Sequence, residues 1–424
     1  MNNPSTPSEP RRVLICVSGM SPAVVTETLY ALIQPEHDFV PDEIHVVTTG
    51  DGKQALMEQL LEPGTGQFHA FMKQWLPQRR ILFGEEQIHV IGHESKAEAP
   101  VKAGIWDGLG GAPAARPGRV ELPDIVTDED NRAAADTIFQ VMRRLKSERP
   151  TRLHASVAGG RKSMSFYMGH AFSLLSEPGD KLSHVLVNPP FELPALKFYF
   201  PPKEAKDAVT VKWTDKAGNP HSNCTSEARI QLAELSVLNL GPILNGFPID
   251  SCDSLDDAVR LAQSVLVPAP VKITLEAAAG RQHVQVCGRN VKLKPQQFLA
   301  LVVYAWARLH ADDLPESGAV NLTDIPIEIW QRMHAVLESA KDSAQPPSLA
   351  ALKPLHANIH GAFNSVLGPA ARHYRIELAG PKSSPGTAAD KTGPYRLSTD
   401  PELLDLAGMH RLEPLLRQAF GMTA

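Results

Sequence analysis

Three short segments combine glycine with hydroxyl side chains, and the third adds two adjacent cations. They are Ser18, Gly19, Met20 and Ser21; Thr48, Thr49 and Gly50; and Ala158, Gly159, Gly160, Arg161, Lys162, Ser163 and the adjoining Met164. Glycine lets the backbone approach a ligand closely, and the free amides at the start of a following helix favour an anion. Arg161 and Lys162 add positive charge. The three segments therefore predict a phosphate-rich ligand.

Familiar phosphate motifs do not describe these segments. Arg161 stands where a Walker A loop needs glycine before lysine, and the first segment lacks the glycine spacing of a dinucleotide fingerprint. A single turn of this kind is explained by a tight connection between a strand and a helix. Several such turns on one face, one of them carrying Arg161 and Lys162, favour a binding site.

The elements around these segments predict an α/β fold, a Rossmann-like parallel sheet with helices on both faces. Ligands of such sheets bind beyond the carboxyl ends of the strands. The expected strands are Arg11–Ser18, Glu43–Thr49, Gln87–Ile91, Leu153–Val157 and Leu182–Val187, with a further edge strand at Leu196–Phe200. The expected helices are Pro22–Ile33, Lys53–Leu61, Asp128–Lys146 with Thr127 as N-cap, and Lys162–Leu175.

A chain of 424 residues predicts more than one domain. We expect the α/β domain at 11–202, a linker and helical connector at 203–270, a C-terminal α+β winged-helix-like domain at 271–400 and a helical tail at 401–424. Within the connector, 203–225 is polar and linker-like, and Glu227–Val237 and Leu255–Val265 are expected to be helical. The Gly-, Ala- and Pro-rich stretch at 95–120 is expected to be a surface insertion.

The C-terminal domain has the element order of a winged helix. Its expected strands are Val271–Leu275, His283–Val286, His373–Leu378 and Pro394–Ser398, and its expected helices are Gln296–His310, Pro326–Ala340 and Leu349–Leu367. The run VQVCGRNVKLKPQQFLALVVYAWARLH resembles the opening of response-regulator winged helices. The third helix and the wing carry Lys353, Arg372, Arg375 and Lys382. DNA is therefore one expected partner, although a structural or dimerising role is equally compatible. His356 and His360 have metal-ligand spacing without a third ligand.

Composition narrows the class of protein further. The net charge of −5, 43% hydrophobic and 21% charged residues are typical of a soluble globular protein. The absence of a long apolar run and of a signal peptide predicts a cytoplasmic protein without membrane contact. Four scattered cysteines predict neither disulfides nor zinc, and no cofactor or metal is expected.

The first half of the chain resembles the CARF family, the CRISPR-associated Rossmann fold, from about Arg12 to Pro202. The segments that carry the resemblance are VLICVSGMSPAVVTETLYAL, DEIHVVTT, DIVTDEDNRAAAD, LHASVAGGRKSMSFYMGHAFSLL and LSHVLVNPPFE. The resemblance implies a homodimer whose two-fold axis passes through a pocket for a cyclic oligoadenylate, the messenger made by type III CRISPR complexes.

Within that family the chain resembles the CRISPR-associated ring nucleases. The resemblance implies metal-independent cleavage of the ring to linear adenylates with 2′,3′-cyclic phosphate ends, which switches signalling off. It assigns catalysis to Ser18 and Lys162, and the other residues of the three segments, apart from Ala158, are expected to bind the ligand. Cyclic tetra-adenylate is the expected ring, and cyclic hexa-adenylate stays open. The alternatives are a sensor that regulates transcription through the winged helix with little or no cleavage, and a sensor that activates a partner.

Many CARF proteins also carry an RNA-cutting domain with an Arg-x(4–6)-His motif. Only Arg149 and His154 have that spacing here, at the entry to a predicted core strand. We interpret this pair as a chance match.

Overall fold

The computed structural model describes residues 9–94, 119–276, 281–337, 346–379 and 394–422. It divides into two compact units, residues 1–245 with 253–255, and residues 246–252 with 256–424. Within the described residues, no helix is both long enough and apolar enough to cross a bilayer.

A six-stranded sheet in the order β10-β7-β6-β1-β2-β3 forms the centre of the first unit. The strands of this unit are β1 (Arg11–Val17), β2 (Glu43–Thr48), β3 (Ile88–Val90), β4 (Gly92–Glu94), β5 (Arg119–Glu121), β6 (Thr151–Ser156), β7 (Lys181–Val187), β8 (Thr210–Thr214), β9 (Pro220–Cys224) and β10 (Ile230–Glu234). Neighbouring strands from β7 to β3 are parallel, and only β10 runs antiparallel, against β7. The predicted α/β fold with a parallel sheet is confirmed.

Helices flank this sheet. Strand β1 is apolar on both of its faces, so both faces of the sheet must be covered there. The helices are α1 (Ala23–Leu32), α2 (Gly50–Leu56, continued by a π-helical turn at Met57–Leu61), α3 (Gln67–Trp75), α4 (Asp128–Ser147) and α5 (Lys162–Leu175). Leu14 and Cys16 join the buried cluster that includes Leu29 of α1 and Phe71 of α3. Their neighbour Ile15, which points to the other face, is equally buried. A strand buried on both faces is a continuous apolar run.

Thr127 caps α4 as the sequence predicts. Its hydroxyl accepts a hydrogen bond from the Asp130 amide at 3.1 Å, and the Asp130 carboxylate accepts one from the Thr127 amide at 2.8 Å. This reciprocal pair is a capping box, which fixes where the helix begins.

The segment after β7 departs from the sequence prediction. Residues 227–237, expected to be helical, contain strand β10, whose Leu232 pairs with Val185 of β7. The open hydrogen-bonding edge of β7 explains this outcome, because pairing with an edge outweighs local helix propensity. Leu196–Phe200 does not form the expected edge strand; a 3₁₀ turn at Pro194–Leu196 occupies its start.

Another segment also differs from expectation. The polar stretch at 203–225, expected to be a linker, folds into the hairpin of β8 and β9, with Lys212 opposite Ser222. Of the expected insertion at 95–120, residues 95–118 lie outside the described residues, and 119–121 form β5 against β4.

The second unit contains a four-stranded sheet in the order β13-β12-β11-β16 and a separate hairpin of β14 and β15. Its strands are β11 (Val271–Glu276), β12 (Arg281–Val286), β13 (Arg289–Asn290), β14 (Ile376–Leu378), β15 (Tyr395–Leu397) and β16 (Leu404–Ala407). Its helices are α6 (Leu255–Gln263, of which 256–263 belong to this unit), α7 (Pro295–Leu309), α8 (Ile327–His334), α9 (Leu349–Leu367) and α10 (Glu413–Ala419).

The predicted strands and helices of this unit are present with small shifts of their ends, and α8 ends at His334, six residues before the predicted end. The tail after residue 400 is not wholly helical, because β16 pairs with β11 and buries Leu404.

Candidate functional site

The order of the central sheet creates a switch point beside β1. The chain passes from β1 to β2 and β3 on one side, and from β6 to β7 on the other. Open α/β sheets bind ligands at the carboxyl edge where the strand order reverses in this way. The three predicted turns follow β1, β2 and β6, so the structure brings them to one edge of the sheet.

The first and third turns lie in direct contact. A Cβ on Gly159 would lie 2.5 Å from the Val17 carbonyl oxygen, and one on Gly19 would lie 3.3 Å from the Cα of Gly160. Gly160 has a φ of +75°, a left-handed conformation that favours glycine. These glycines are thus required by the packing of the two turns, in addition to any approach of a ligand.

The second turn is fastened to the first through Thr48, whose hydroxyl donates to the Ser18 carbonyl oxygen at 2.8 Å. Thr49 is the N-cap of α2, and its hydroxyl accepts from the Gly52 amide at 3.3 Å. Gly52, which was not predicted as a site residue, packs so closely that a Cβ there would overlap the Thr48 hydroxyl. All three turns therefore form one connected cluster.

Helix α5 presents an open N-terminus at this edge. It begins at Lys162, and no side chain in the described part of the chain caps it. The Lys162 side chain is exposed, and in the part of the chain that the structure describes its ammonium group has no hydrogen-bond or ion-pair partner. An uncapped helix start next to an unpaired cation is suited to an anion.

Arg161, in contrast, is already paired. Its Nε lies 3.2 Å from Oδ1 of Asp124, and its Nη2 donates to Oδ2 of the same carboxylate. The hydrogen bond from Arg161 lowers the pKa of Asp124 below its usual value. Asp124 is not recognisable as a site residue from the sequence, because nothing in the spacing links it to a turn that follows 37 positions later.

The remaining predicted residues differ in exposure. Ser18 is 0% exposed, and its hydroxyl lies 3.4 Å from the Gly19 carbonyl oxygen. Met20 and Ser21 are exposed, whereas Met164 is buried below Gly160. Ser163, at the start of α5, is half-buried.

The segment from Leu122 to Asp124 also covers the second turn. The Gly50 amide donates to the Leu122 carbonyl oxygen at 2.7 Å, and the Asp51 amide donates to that of Pro123 at 3.2 Å. The Gly50 backbone was predicted to approach a ligand, but in the structure its amide is hydrogen-bonded to Leu122.

A buried carboxyl group lies on α1, the helix that follows the first turn. Glu27 is 7% exposed and has no hydrogen-bond or ion-pair partner among the described residues. Burial raises the pKa of Glu27 to about 7, because the carboxylate loses its hydration. Its neighbour Thr28 lies with its hydroxyl 3.2 Å from that of Ser156 at the end of β6.

The structure supports the interpretation of Arg149 and His154 as a chance match. His154 is buried in β6 with Nε2 2.7 Å from the Ser183 hydroxyl, and burial lowers the pKa of His154 to about 3. Arg149 pairs with Glu43 at 2.6 Å. His154 is therefore enclosed in the core, and Arg149 is paired with a carboxylate.

Of the four cations predicted on the third helix and the wing, three lie in the described part of the chain. Lys353 and Arg375 are exposed, Arg372 donates to the Val265 carbonyl oxygen at 3.0 Å, and Lys382 lies outside the described residues. His356 contacts the buried Tyr304, with Nε2 2.9 Å from the hydroxyl.

Burial lowers the pKa of His356 to about 4, so a structural role fits it better than metal binding. His360, one helical turn further on, is half-buried. In the described ranges no three His, Cys, Asp or Glu side chains are grouped as metal ligands.

Comparison with known proteins gives one finding. A protein-family model described as CRISPR-associated protein NE0113 matches residues 21–100 and 115–264, more than half of the chain. No curated protein matches the sequence. The matched ranges include the second and third turns and extend beyond β10.

Proposed function

The chain belongs to the CRISPR-associated protein NE0113 family, and on this premise we propose that it binds a cyclic oligoadenylate at the carboxyl edge of its parallel sheet and cleaves the ring without metal. The observation that carries the proposal is the open start of α5 at the switch point of the sheet, where Lys162 has no partner among the described residues. The resemblance of the first half of the chain to CARF ring nucleases supports the choice of ligand.

The geometry suits phosphodiesters better than bases or sugars alone. The amides at the start of α5 and the Lys162 ammonium group supply positive potential to an anion. Arg161 adds a planar fork that can hold two phosphate oxygens. Thr49, in contrast, is committed to capping α2.

Cleavage requires no external nucleophile, since each ribose carries a 2′-hydroxyl beside its phosphodiester. The 2′ oxygen forms a bond to phosphorus, the bond from phosphorus to the 5′ oxygen breaks, and the proton leaves the 2′ oxygen while the 5′ oxygen gains one. The product is a linear adenylate with a 2′,3′-cyclic phosphate. The protein holds the attacking oxygen in line and stabilises charge on the phosphoryl oxygens.

Lys162 is assigned the stabilisation of phosphoryl charge, because its side chain is exposed and its ammonium group has no partner in the described ranges. Ser18 is assigned the orientation of the 2′-hydroxyl or of a phosphoryl oxygen. Since Ser18 is 0% exposed, this role requires the Gly19 turn to open.

A homodimer suits a ring of repeating adenylates, because two copies of one edge surround it symmetrically. Three large apolar side chains are exposed in segments near this edge: Met20, Val126 and Phe166. Exposed apolar side chains of this size are suited to packing against a second copy of the chain or against adenine bases. Light scattering with and without ligand tests the dimer, and a monomer in both states contradicts it.

The direct test is incubation of the full chain with cyclic tetra-adenylate and cyclic hexa-adenylate in EDTA, followed by chromatography and mass spectrometry. We expect one ring to be converted to linear products with cyclic-phosphate ends. Tight binding without conversion would leave a sensor. Absence of both binding and conversion would reject the proposal.

The second candidate function is a ligand-gated regulator that binds DNA. It is favoured by the order of the second unit, in which helices α7, α8 and α9 precede the hairpin of β14 and β15, as in a winged helix. Gel-shift or anisotropy titrations of genomic DNA fragments, with and without each ring, test it. DNA affinity that changes with ligand supports this function. Cleavage of the ring would then limit how long the ligand controls DNA binding.

A further inference from the structure

We propose that the Asp124 carboxylate competes with a ligand phosphate for Arg161. Asp124 is the last residue of the segment Leu122–Asp124, which we call the strap. The strap places Asp124 on Arg161 until a ligand phosphate replaces the carboxylate. This inference rests on the proposed function and adds to it a mode of regulation. It would make ligand binding and release of the strap one linked event.

The competing contact is a carboxylate seated where a phosphate would sit. Both oxygens of Asp124 face the Arg161 guanidinium, Oδ1 at 3.2 Å from Nε and Oδ2 within hydrogen-bond distance of Nη2. A carboxylate and a phosphate offer the same pair of oxygens to this fork, so they compete for it. Oδ1 also accepts from the Ile125 amide at 2.7 Å, which keeps the carboxylate oriented.

The strap is anchored at its other end to the second turn. The carbonyl oxygens of Leu122 and Pro123 accept from the amides of Gly50 and Asp51. The Leu122 amide in turn donates to the Ile91 carbonyl oxygen at 2.9 Å, beyond the end of β3. The strap therefore joins the turn after β2 to the turn after β6, the two turns that flank β1.

The pairing is weak enough to be displaced. Arg161 is 57% exposed and Asp124 is 40% exposed, so water and salt screen the pair. An exposed ion pair stabilises a protein only slightly, so competition from Asp124 lowers ligand affinity at most about fivefold. A phosphodiester that also contacts Lys162 can overcome a penalty of this size.

The test compares Asp124→Asn with Asp128→Asn in the full chain. Asp128 is a matched control because it is exposed and pairs with an arginine, Arg132, at 2.8 Å. Isothermal titration with cyclic tetra- and hexa-adenylate at fixed salt gives the dissociation constants. We expect Asp124→Asn to bind about two- to fivefold more tightly than wild type, and Asp128→Asn to bind as wild type does.

The same substitution in an Arg161→Ala protein tests whether Arg161 is the group for which Asp124 and the ligand compete. There, Asp124→Asn should give no gain, because the contested cation is gone. If Asp124→Asn and Asp128→Asn increase ligand affinity equally, the increase comes from the change in net charge alone, and the inference is overturned.

Hydrogen exchange at the Gly50 and Asp51 amides reports on the strap itself. We expect both amides to exchange faster when the ring binds wild type. Slower exchange on binding would overturn the inference, since the strap would then close on the ligand instead of leaving it. If wild type binds the ring and Asp124→Asn binds no more tightly, only this inference fails; if neither protein binds either ring, the proposed function fails with it.

Discussion

A Cβ on Gly159 would lie 2.5 Å from the carbonyl oxygen of Val17, so the third turn packs directly against the end of β1. This contact fixes the distance between the start of α5 and the first turn. We expect Gly159→Ala to displace the third turn, to lower the free energy of unfolding by about 1–3 kcal/mol and to weaken ligand binding. Denaturant unfolding and isothermal titration measure the two effects.

Gly169→Ala is the control for that substitution. Gly169 lies within α5, where a Cβ would meet only the Leu182 side chain, at 3.7 Å. We expect this variant to be at least as stable as wild type and to bind normally. If Gly159→Ala behaves in the same way, the tight contact with Val17 has no functional consequence.

Lys162→Ala tests the assignment of phosphoryl stabilisation. Because the ammonium group has no partner in the described part of the chain, the fold should not depend on it, and the melting temperature should stay within about 2 °C of wild type. We expect loss of turnover by about a hundredfold or more, measured by single-turnover cleavage of the ring in EDTA. Lys212→Ala, which removes an exposed lysine of β8, should cleave at the wild-type rate. Unchanged cleavage by Lys162→Ala would remove this residue from the mechanism.

The sequence allowed the turns to be predicted, but not the strap that covers them. Apolar runs such as β1 and the glycines of the third turn are local signals, so their place at one edge of a parallel sheet follows from topology rules. The pairing of Arg161 with Asp124 depends on the path of the chain between β5 and α4, which no local pattern encodes. The helix predicted at the position of β10 was wrong for a related reason. Strand β10 forms by pairing with the edge of β7, which lies more than 40 residues away in the sequence and leaves no local signal.

Thr127→Ala tests how firmly the start of α4 is fixed. The hydroxyl accepts from the Asp130 amide at 3.1 Å, so its loss leaves one end of the capping box unmade. We expect the free energy of unfolding to fall by about 1 kcal/mol, measured with denaturant. Thr65→Ala, at an exposed loop position, should change it by less than about 0.5 kcal/mol. Equal effects of the two substitutions would show that the capping box does not stabilise the native state.

Glu27→Gln tests the pH dependence that burial imposes on the first unit. The pKa of this carboxyl group is about 7 in the folded chain and about 4.5 when the chain is unfolded. Between these values the folded state keeps a proton that the unfolded state has lost. The contribution of Glu27 to stability therefore falls as pH rises from about 4.5 to about 7 and is constant above that range.

The size of the effect is on the order of 3 kcal/mol above pH 7, since one pKa unit corresponds to about 1.4 kcal/mol. Glutamine keeps the shape of the side chain and cannot ionise. We expect the stability of Glu27→Gln relative to wild type to rise between pH 4.5 and 7 and then to level off, as measured by urea unfolding across this range. Glu62→Gln, which changes an exposed side chain, should give a nearly constant difference. A constant difference for Glu27→Gln as well would mean that the carboxyl group is solvated in the native state.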